Sequence, residues 1–329
     1  MRRGSIVRML AIGIASAIVV ALVAVLIPWL PDSASEEMDR ITFTYWFATV
    51  ICIGIFAVVA AVIVYSVRTF RVQPDDDSDG PPIHGHTGIE ILWTVIPFVL
   101  VTAIAIVSAV VLAENGDAGS NPLRVNVFAQ QFAWRFEYPQ QDGLRSGELV
   151  LQLDRSTKLE LQAADVIHSF WIPQMGQKQD AVPGITTELV ITPTRTGTFT
   201  VICTELCGLG HATMRARARV VTKGEFQRWV RQQQRPAGGG GGGGEGAQLF
   251  ASAGCGGCHA LQKAGTDAQV GPSLDDIGSK GADFVRESIV DPNADVTQGY
   301  QPGVMPTTFG ESLSNQEIDA LVQYLTQGG

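Results

Sequence analysis

The chain has 329 residues, enough for about two folded units of roughly 150 residues with segments to spare. Hydrophobic residues make up 46% of it and charged residues only 17%, a balance that excludes a disordered chain and assigns part of it to a lipid bilayer. The formal charge of −9 argues against a nucleic-acid partner, because neutralising phosphates takes a basic surface.

Residues 6–27 are nearly uninterrupted aliphatic sequence behind Arg2, Arg3 and Arg8. This first stretch, within residues 1–35, reads as a signal peptide or as an extra transmembrane helix. Ser33 and Ser35 supply small residues for cleavage ahead of Glu36. The runs 41–67 and 89–113 each exceed the roughly 20 residues needed to cross the hydrocarbon, so residues 36–115 are expected to form a two-helix transmembrane hairpin. Arg68 and Arg71 follow the first run, whereas Asp32, Glu36, Glu37 and Asp39 precede it. The positive-inside rule then puts residues 68–88 in the cytoplasm and everything after 115 outside. Cys52, within a span, reads as an inert thiol at lipid depth.

Residues 116–223 hold short alternating or β-branched runs at 124–128, 148–154, 158–162, 186–192, 198–203 and 216–221, punctuated by Gly and Pro. That spacing predicts a β-sandwich or barrel. Within it stands Cys203-Thr-Glu-Leu-Cys207-Gly-Leu-Gly-His211-Ala-Thr-Met214, with His168 lying 35 residues before Cys203. Two thiolates, two imidazoles and a thioether are the soft to borderline donors that select copper. A mononuclear blue-copper site needs one Cys, and here a second stands four residues on, which lets both sulfurs bridge a pair of copper ions. The plainer alternatives are a Cys203–Cys207 disulfide and a structural zinc site. A disulfide leaves the His and Met residues unexplained, and zinc rarely recruits Met.

Residues 224–245 read as a short polar helix followed by a flexible linker that contains seven consecutive glycines, 238–244. Residues 246–329 read as a small helical unit, closed by a helix that opens on the capping box Ser314-x-x-Glu317. Cys255-Gly-Gly-Cys258-His259 is a c-type haem attachment sequence. The thiols form thioethers with the haem, and His259 supplies the proximal nitrogen. Met305 is the one methionine of this unit and the expected distal ligand, a pairing that favours electron transfer by raising the potential.

The copper-type loop resembles that of cytochrome c oxidase subunit II, the family carrying the dinuclear CuA centre, over residues 36–221. The last unit is similar to a class I cytochrome c. Together they resemble a caa-type subunit II with its own cytochrome c. The resemblance implies an N-terminal transmembrane α-helical hairpin, an all-β cupredoxin-like Greek-key sandwich and a C-terminal all-α cytochrome c domain. It also implies that Cys203 and Cys207 bridge the coppers, that His168 and His211 each cap one, and that Met214 binds one and the main-chain carbonyl of Glu205 the other. The Glu205 carboxylate is then a ligand of Mg2+ at the border with subunit I.

Further positions follow from the same resemblance. In Gln131-Phe132-Ala133-Trp134 the family usually carries tryptophan at the first aromatic place, where electrons enter from cytochrome c. Phe132 and Trp134 are the candidates here. Glu90 is similar to the acidic residue at the mouth of a proton pathway into subunit I; as an interfacial carboxylate at a helix N-terminus it has a plainer reading. The implied partners are subunits I and III, an external cytochrome c or a cytochrome bc complex, and the bilayer of a bacterial plasma membrane. The rival functions are the electron-entrance subunit of a CuA-containing nitric oxide reductase and, from another class, a copper carrier or assembly protein.

Charge is unevenly divided. Residues 116–235 carry 14 basic and 11 acidic side chains, and residues 236–329 carry 3 and 11, for nets of +3 and −8. Opposite fields steer surfaces together. The haem unit is therefore expected to dock on Arg215, Arg217 and Arg219, which share one strand face, unless that face is simply solvated or meets subunit I.

Overall fold

The computed structural model describes residues 3–71, 82, 84–234 and 243–327. The chain divides into two units, one of residues 1–32 and 39–115, the other of residues 33–38 and 116–329.

The first unit holds α1 (Arg3–Leu26), most of α2 (Glu36–Thr69) and α3 (Thr87–Asn115). All three helices are long and apolar enough to cross a membrane, and their aliphatic side chains are largely exposed. Where α1 meets α2, a Cβ on Gly13 would lie 3.4 Å from that of Ala61; small residues let two apolar helices approach closely. Arg40 Nε of α2 stands 3.5 Å from Glu114 of α3, which pairs the N-terminus of one helix with the C-terminus of the next. The expected cytoplasmic loop lies mostly outside the described residues, as do residues 235–242 of the expected linker.

The second unit contains a sandwich and a helical body. Strands β1 (Leu123–Gln130), β2 (Ala133–Tyr138), β3 (Leu144–Ser146), β4 (Leu149–Gln152), β5 (Thr157–Ala163), β6 (His168–Trp171), β7 (Lys178–Ala181), β8 (Thr187–Ile191), β9 (Gly197–Cys203) and β10 (Arg215–Val221) form two five-stranded sheets. Their orders are β3-β2-β1-β5-β8 and β4-β10-β9-β6-β7. In each, one parallel pairing, β1 with β5 and β4 with β10, sits among antiparallel ones. Period-two burial along β1 and β2 sends Val125, Val127, Trp134, Phe136 and Tyr138 into a core shared with Leu159, Leu161 and Phe170. The stretch 33–38 is tied to this body, with Ala34 N donating to Gln174 O at 2.8 Å and Thr192 N to Glu37 Oε2 at 2.9 Å.

Helix α4 (Lys223–Gln233) opens on a capping box between Thr222 and Glu225. It lays Phe226 and Trp229 on Tyr138, the Trp229 ring 5.0 Å from the tyrosine ring. Helices α5 (Gly243–Ser252), α6 (Ala282–Val290), α7 (Phe309–Ser312) and α8 (Asn315–Thr326) build the last body. Its core comprises Phe250, Val285, Ile289, Phe309, Ile318, Leu321 and Leu325. A Cβ on Gly246 of α5 would strike Ala320 and Tyr324 of α8, so glycine there sets how closely the first and last helices cross. The helices are joined by a two-stranded ribbon, β11 (His259–Leu261) with β12 (Thr266–Gln269), which the sequence reading of an all-α body does not contain.

Candidate metal and haem centres

The metal-type donors come from two neighbouring strands and one loop. His168 opens β6 and Cys203 ends β9; these strands pair side by side, with Phe170 opposite Cys203. The loop after β9 then turns back through a short 3-10 turn, His211–Thr213, so that Met214 reaches the site just before β10. Cys203 and Cys207 are free, and their sulfurs stand 3.9 Å apart. A disulfide needs about 2.05 Å, so the two sulfurs are unbonded in this arrangement.

Each sulfur faces an imidazole. Cys203 Sγ lies 3.9 Å from His168 Nδ1, and Cys207 Sγ lies 3.6 Å from His211 Nδ1. Met214 Sδ is 3.8 Å from Cys207 Sγ, and the Glu205 carbonyl is 3.3 Å from Cys203 Sγ. His168, Cys203, Cys207 and Met214 are buried, while the Glu205 side chain is exposed. The ligand atoms of His168, Cys203 and Cys207 all lie within 4.8 Å of one another. The donor set of two thiols, two imidazoles, a thioether and a carbonyl fits a soft to borderline metal pair.

Burial and neighbouring charge divide the site's protons unequally. Burial opposes ionisation of Cys203, but contacts with His168, Ser169, Glu205 and His211 outweigh it and bring the thiol down to about 6. Burial, reinforced by the neighbouring Cys203 charge, pushes Cys207 up to about 12. At His168 burial alone would lower the value, yet Asp165 and Cys203 raise it to about 9. The second thiol therefore gives up its proton when metal arrives, and metal uptake releases protons.

Sequence reasoning missed two supporting residues. Asp165 Oδ1 lies 2.8 Å from His168 Nε2, and its Oδ2 accepts from Gln131 N at 2.7 Å. A carboxylate on the far nitrogen of a metal-ligating histidine fixes the ring's orientation and raises its basicity. Gln131 Nε2 in turn donates to Cys207 O. The one signal available beforehand was an acidic residue three positions ahead of His168.

Of the two aromatic candidates, Trp134 is 1% exposed and stands edge-on to Phe170 and His168, with ring centroids 5.5 and 6.2 Å away. Phe132 lies at the turn between β1 and β2, against Gly208 and Gly210 of the copper-type loop. Glu90 sits in the first turn of α3 and accepts from His86 N at 3.0 Å, as a helix N-terminus favours.

In the helical body, Cys255, Cys258, His259 and Met305 line one apolar cleft, walled by Phe250, Phe284 and Leu325 among others. The lining is mainly apolar, which suits an apolar macrocycle. Burial pushes Cys255 up to about 12 and raises Cys258 as well. Burial lowers His259, whose Nδ1 lies 2.8 Å from Pro272 O. That bond places the proton on Nδ1 and leaves the Nε2 lone pair for a metal. A Cβ on Gly271 would stand 2.5 Å from the imidazole Cε1, so glycine is required behind the ring. Two thiols, an oriented histidine and a methionine around an apolar cleft fit a covalent haem.

Of the three arginines expected to take the helical body, Arg215 lies beside it, its main-chain O 4.0 Å from where a Cβ on Gly257 would stand, whereas Arg219 Nε is 2.7 Å from Glu148 of its own sandwich. The helical body also meets the turn and edge of the β1–β3 sheet. A Cβ on Gly254 would lie 2.6 Å from Ala133 Cβ, and one on Gly147 would strike Ala251 O. The approach is of backbone and small residues, a shape match that charge bookkeeping does not reveal.

Comparison with known proteins agrees with this geometry along the chain. The family model for the transmembrane domain of cytochrome c oxidase subunit II matches residues 21–111, that for its periplasmic domain residues 143–221, and that for cytochrome c residues 244–328. Cytochrome c oxidase subunit 2 of Synechocystis is 35% identical over 61% of this chain and 74% of its own length. The protein of the same name from Alkalihalophilus pseudofirmus is 31% identical over 82% of this chain and 81% of its own. Among solved structures, the periplasmic domain of cytochrome oxidase subunit II from Bradyrhizobium japonicum aligns at 29% identity over 36% of this chain and 97% of that one, with a TM-score of 0.35. With the copper-type donors and the haem-attachment cleft in place, the chain belongs to the cytochrome c oxidase subunit 2 family, in a form fused to a cytochrome c domain.

Proposed function

We propose that the chain is the electron-relay subunit of a respiratory cytochrome c oxidase. Electrons from an external cytochrome c, or from a cytochrome bc complex, pass through it to subunit I, where oxygen is reduced to water with proton pumping. The observation that carries this reading is the pair of free, buried cysteines 3.9 Å apart, each facing an imidazole nitrogen. When bound, the haem and the copper pair each supply a one-electron couple with its protein ligands already in place.

The chain's residues hold these couples rigid and dry. Cys203, Cys207, His168, His211, Met214 and the Glu205 carbonyl would together hold the copper pair. Asp165 holds the His168 ring in its orientation. Cys255 and Cys258 would anchor the haem, and His259 and Met305 would supply its ligands. With these donors committed, neither group would keep a position for substrate, unlike the open site of a catalytic metal, and oxygen chemistry would fall to subunit I.

The exposed Glu205 carboxylate is the proposed Mg2+ ligand shared with that subunit, and Glu90 the proposed mouth of its proton pathway. Subunit III completes the assembly. Helices α2 and α3 anchor residues 36–115 in a bacterial plasma membrane as a multi-pass element, with the copper domain (116–223) and haem domain (246–329) on the outer side.

The test is oxygen uptake by the purified complex with reduced cytochrome c as donor. Steady uptake that disappears in Cys207→Ser is expected. Nitric oxide consumption without oxygen uptake would overturn the reading in favour of the reductase, and readily exchanged copper would favour the carrier.

A further inference from the structure

Residues 291–308, between α6 and α7, contain no helix or strand, yet they carry Met305, the methionine of the haem cleft. Hydrogen bonds within the stretch, such as Gly303 N to Asn293 Oδ1 at 2.8 Å, only form turns. Such a stretch opens easily unless its side chains pack. Two consecutive side chains supply that packing, in opposite directions. Met305 packs on the core of its own helical body, whereas Val304 packs on the core of the sandwich. The attachment side of the cleft leans on the same domain. A Cβ on Gly254, just before the first haem cysteine, would stand 2.6 Å from Ala133 Cβ, and one on Gly257 4.0 Å from Arg215 O. Phe132 and Ala133 line the cleft itself. One wall of the haem cleft is therefore supplied by the copper domain.

We propose that Val304 is a positioning residue for Met305, and that its seat on the copper domain holds the methionine at the haem iron and keeps water out of the cleft. The inference rests on the relay reading above and deepens it: the copper domain then sets the potential of the centre that feeds it. Two effects run the same way. Methionine as an axial ligand raises a haem potential. Ferric haem carries one more positive charge than ferrous haem, and a dry, apolar cleft disfavours the more highly charged form. With Val304 seated, both effects favour the ferrous state, which suits a domain that accepts electrons from outside. With the seat opened, Met305 is left on a stretch of turns and the potential falls. Valine suits the task, because its branched side chain is stiff and brings no polar group that would draw water into the seat.

The experiment uses the full-length chain matured with copper and haem. Val304→Ser takes the apolar side chain from the seat and leaves Met305 in place. Gly147→Leu acts from the sandwich side: a Cβ there would already strike Ala251 O, so the new side chain wedges the two domains apart without replacing any ligand. Redox titration reads the haem potential, and the charge-transfer band of methionine-ligated ferric haem reads the hold on Met305. Both variants are expected to lose most of the band and to lower the potential, by about 59 mV for each tenfold loss of preference for the ferrous state. The paramagnetic signal of the copper pair should stay unchanged, and Val304→Ile should keep both haem readings. A band and a potential that match the unaltered chain in both variants overturn the positioning role and leave the relay reading standing. An unaltered chain with no methionine band overturns the haem half of that reading, and the positioning role falls with it.

Discussion

Asp165 ties three parts of the copper domain together: the His168 ring through one oxygen, its own loop through Val166 N at 2.7 Å, and the β1–β2 turn through Gln131 N. Replacing it with Asn keeps the shape and removes the charge that steadies the imidazole. Asp165→Asn is expected to weaken copper retention by about 10–100-fold, the usual range for a lost supporting carboxylate, measured by competition with a chelator. Tyr138 has a different task, donating to Val150 O at 3.1 Å and accepting from Val150 N at 2.6 Å while wholly buried. Tyr138→Phe orphans both groups and should cost about 1–3 kcal/mol, read from denaturant unfolding of the metal-loaded chain.

At the scale of elements, α8 depends on its first turn. Ser314 Oγ accepts from Glu317 N, and the Glu317 carboxylate accepts from Ser314 N at 2.8 Å. Ser314→Ala should destabilise the haem domain by about 1 kcal/mol. Those hydrogen bonds from Ser314 hold the Glu317 carboxyl below its ordinary range. A depressed folded value means that the cap's contribution is complete above the ordinary glutamate range and is lost as pH falls through the folded value. The wild type should therefore lose thermal stability on acidification more steeply than Glu317→Gln, compared by melting at pH values on both sides of that range.

The same scale shows what could be read beforehand. Strands β1, β5, β9 and β10 are legible because β-branched and apolar residues alternate along them. β7, Lys-Gln-Asp-Ala at 178–181, has no such alternation and exists because β6 offers it an edge. β11 and β12, of three and four residues, are likewise set by tertiary context. The copper-type ligands were legible because five of the six fall within residues 203–214 at fixed spacing. Asp165 and Pro272 were not, since a carboxylate or carbonyl acquires its role only when the chain folds back on the histidine.

Across the whole chain, composition separated the apolar helices from the outer domains, and the two ligand motifs separated copper from haem chemistry. The regional charge balance pointed instead to the arginines of β10 for docking. The surface in contact includes Ala133, Gly147 and Gly254, where backbone approaches closely, as well as the main chain of Arg215 beside Gly257. Burial of this kind is screened little by salt. Haem-to-copper transfer within the loaded chain should accordingly hold its rate between low and high ionic strength, whereas docking on exposed arginines would slow it.

The central claim is that one chain carries a closed two-copper centre beside a covalent haem. It is tested most directly by electron paramagnetic resonance, combined with metal analysis, on the full-length chain matured with copper and haem. The account predicts two coppers and one haem iron per chain, one unpaired electron shared equally by the two coppers, and a low-spin haem. A single-copper signal, or copper stripped readily by chelators, would contradict it.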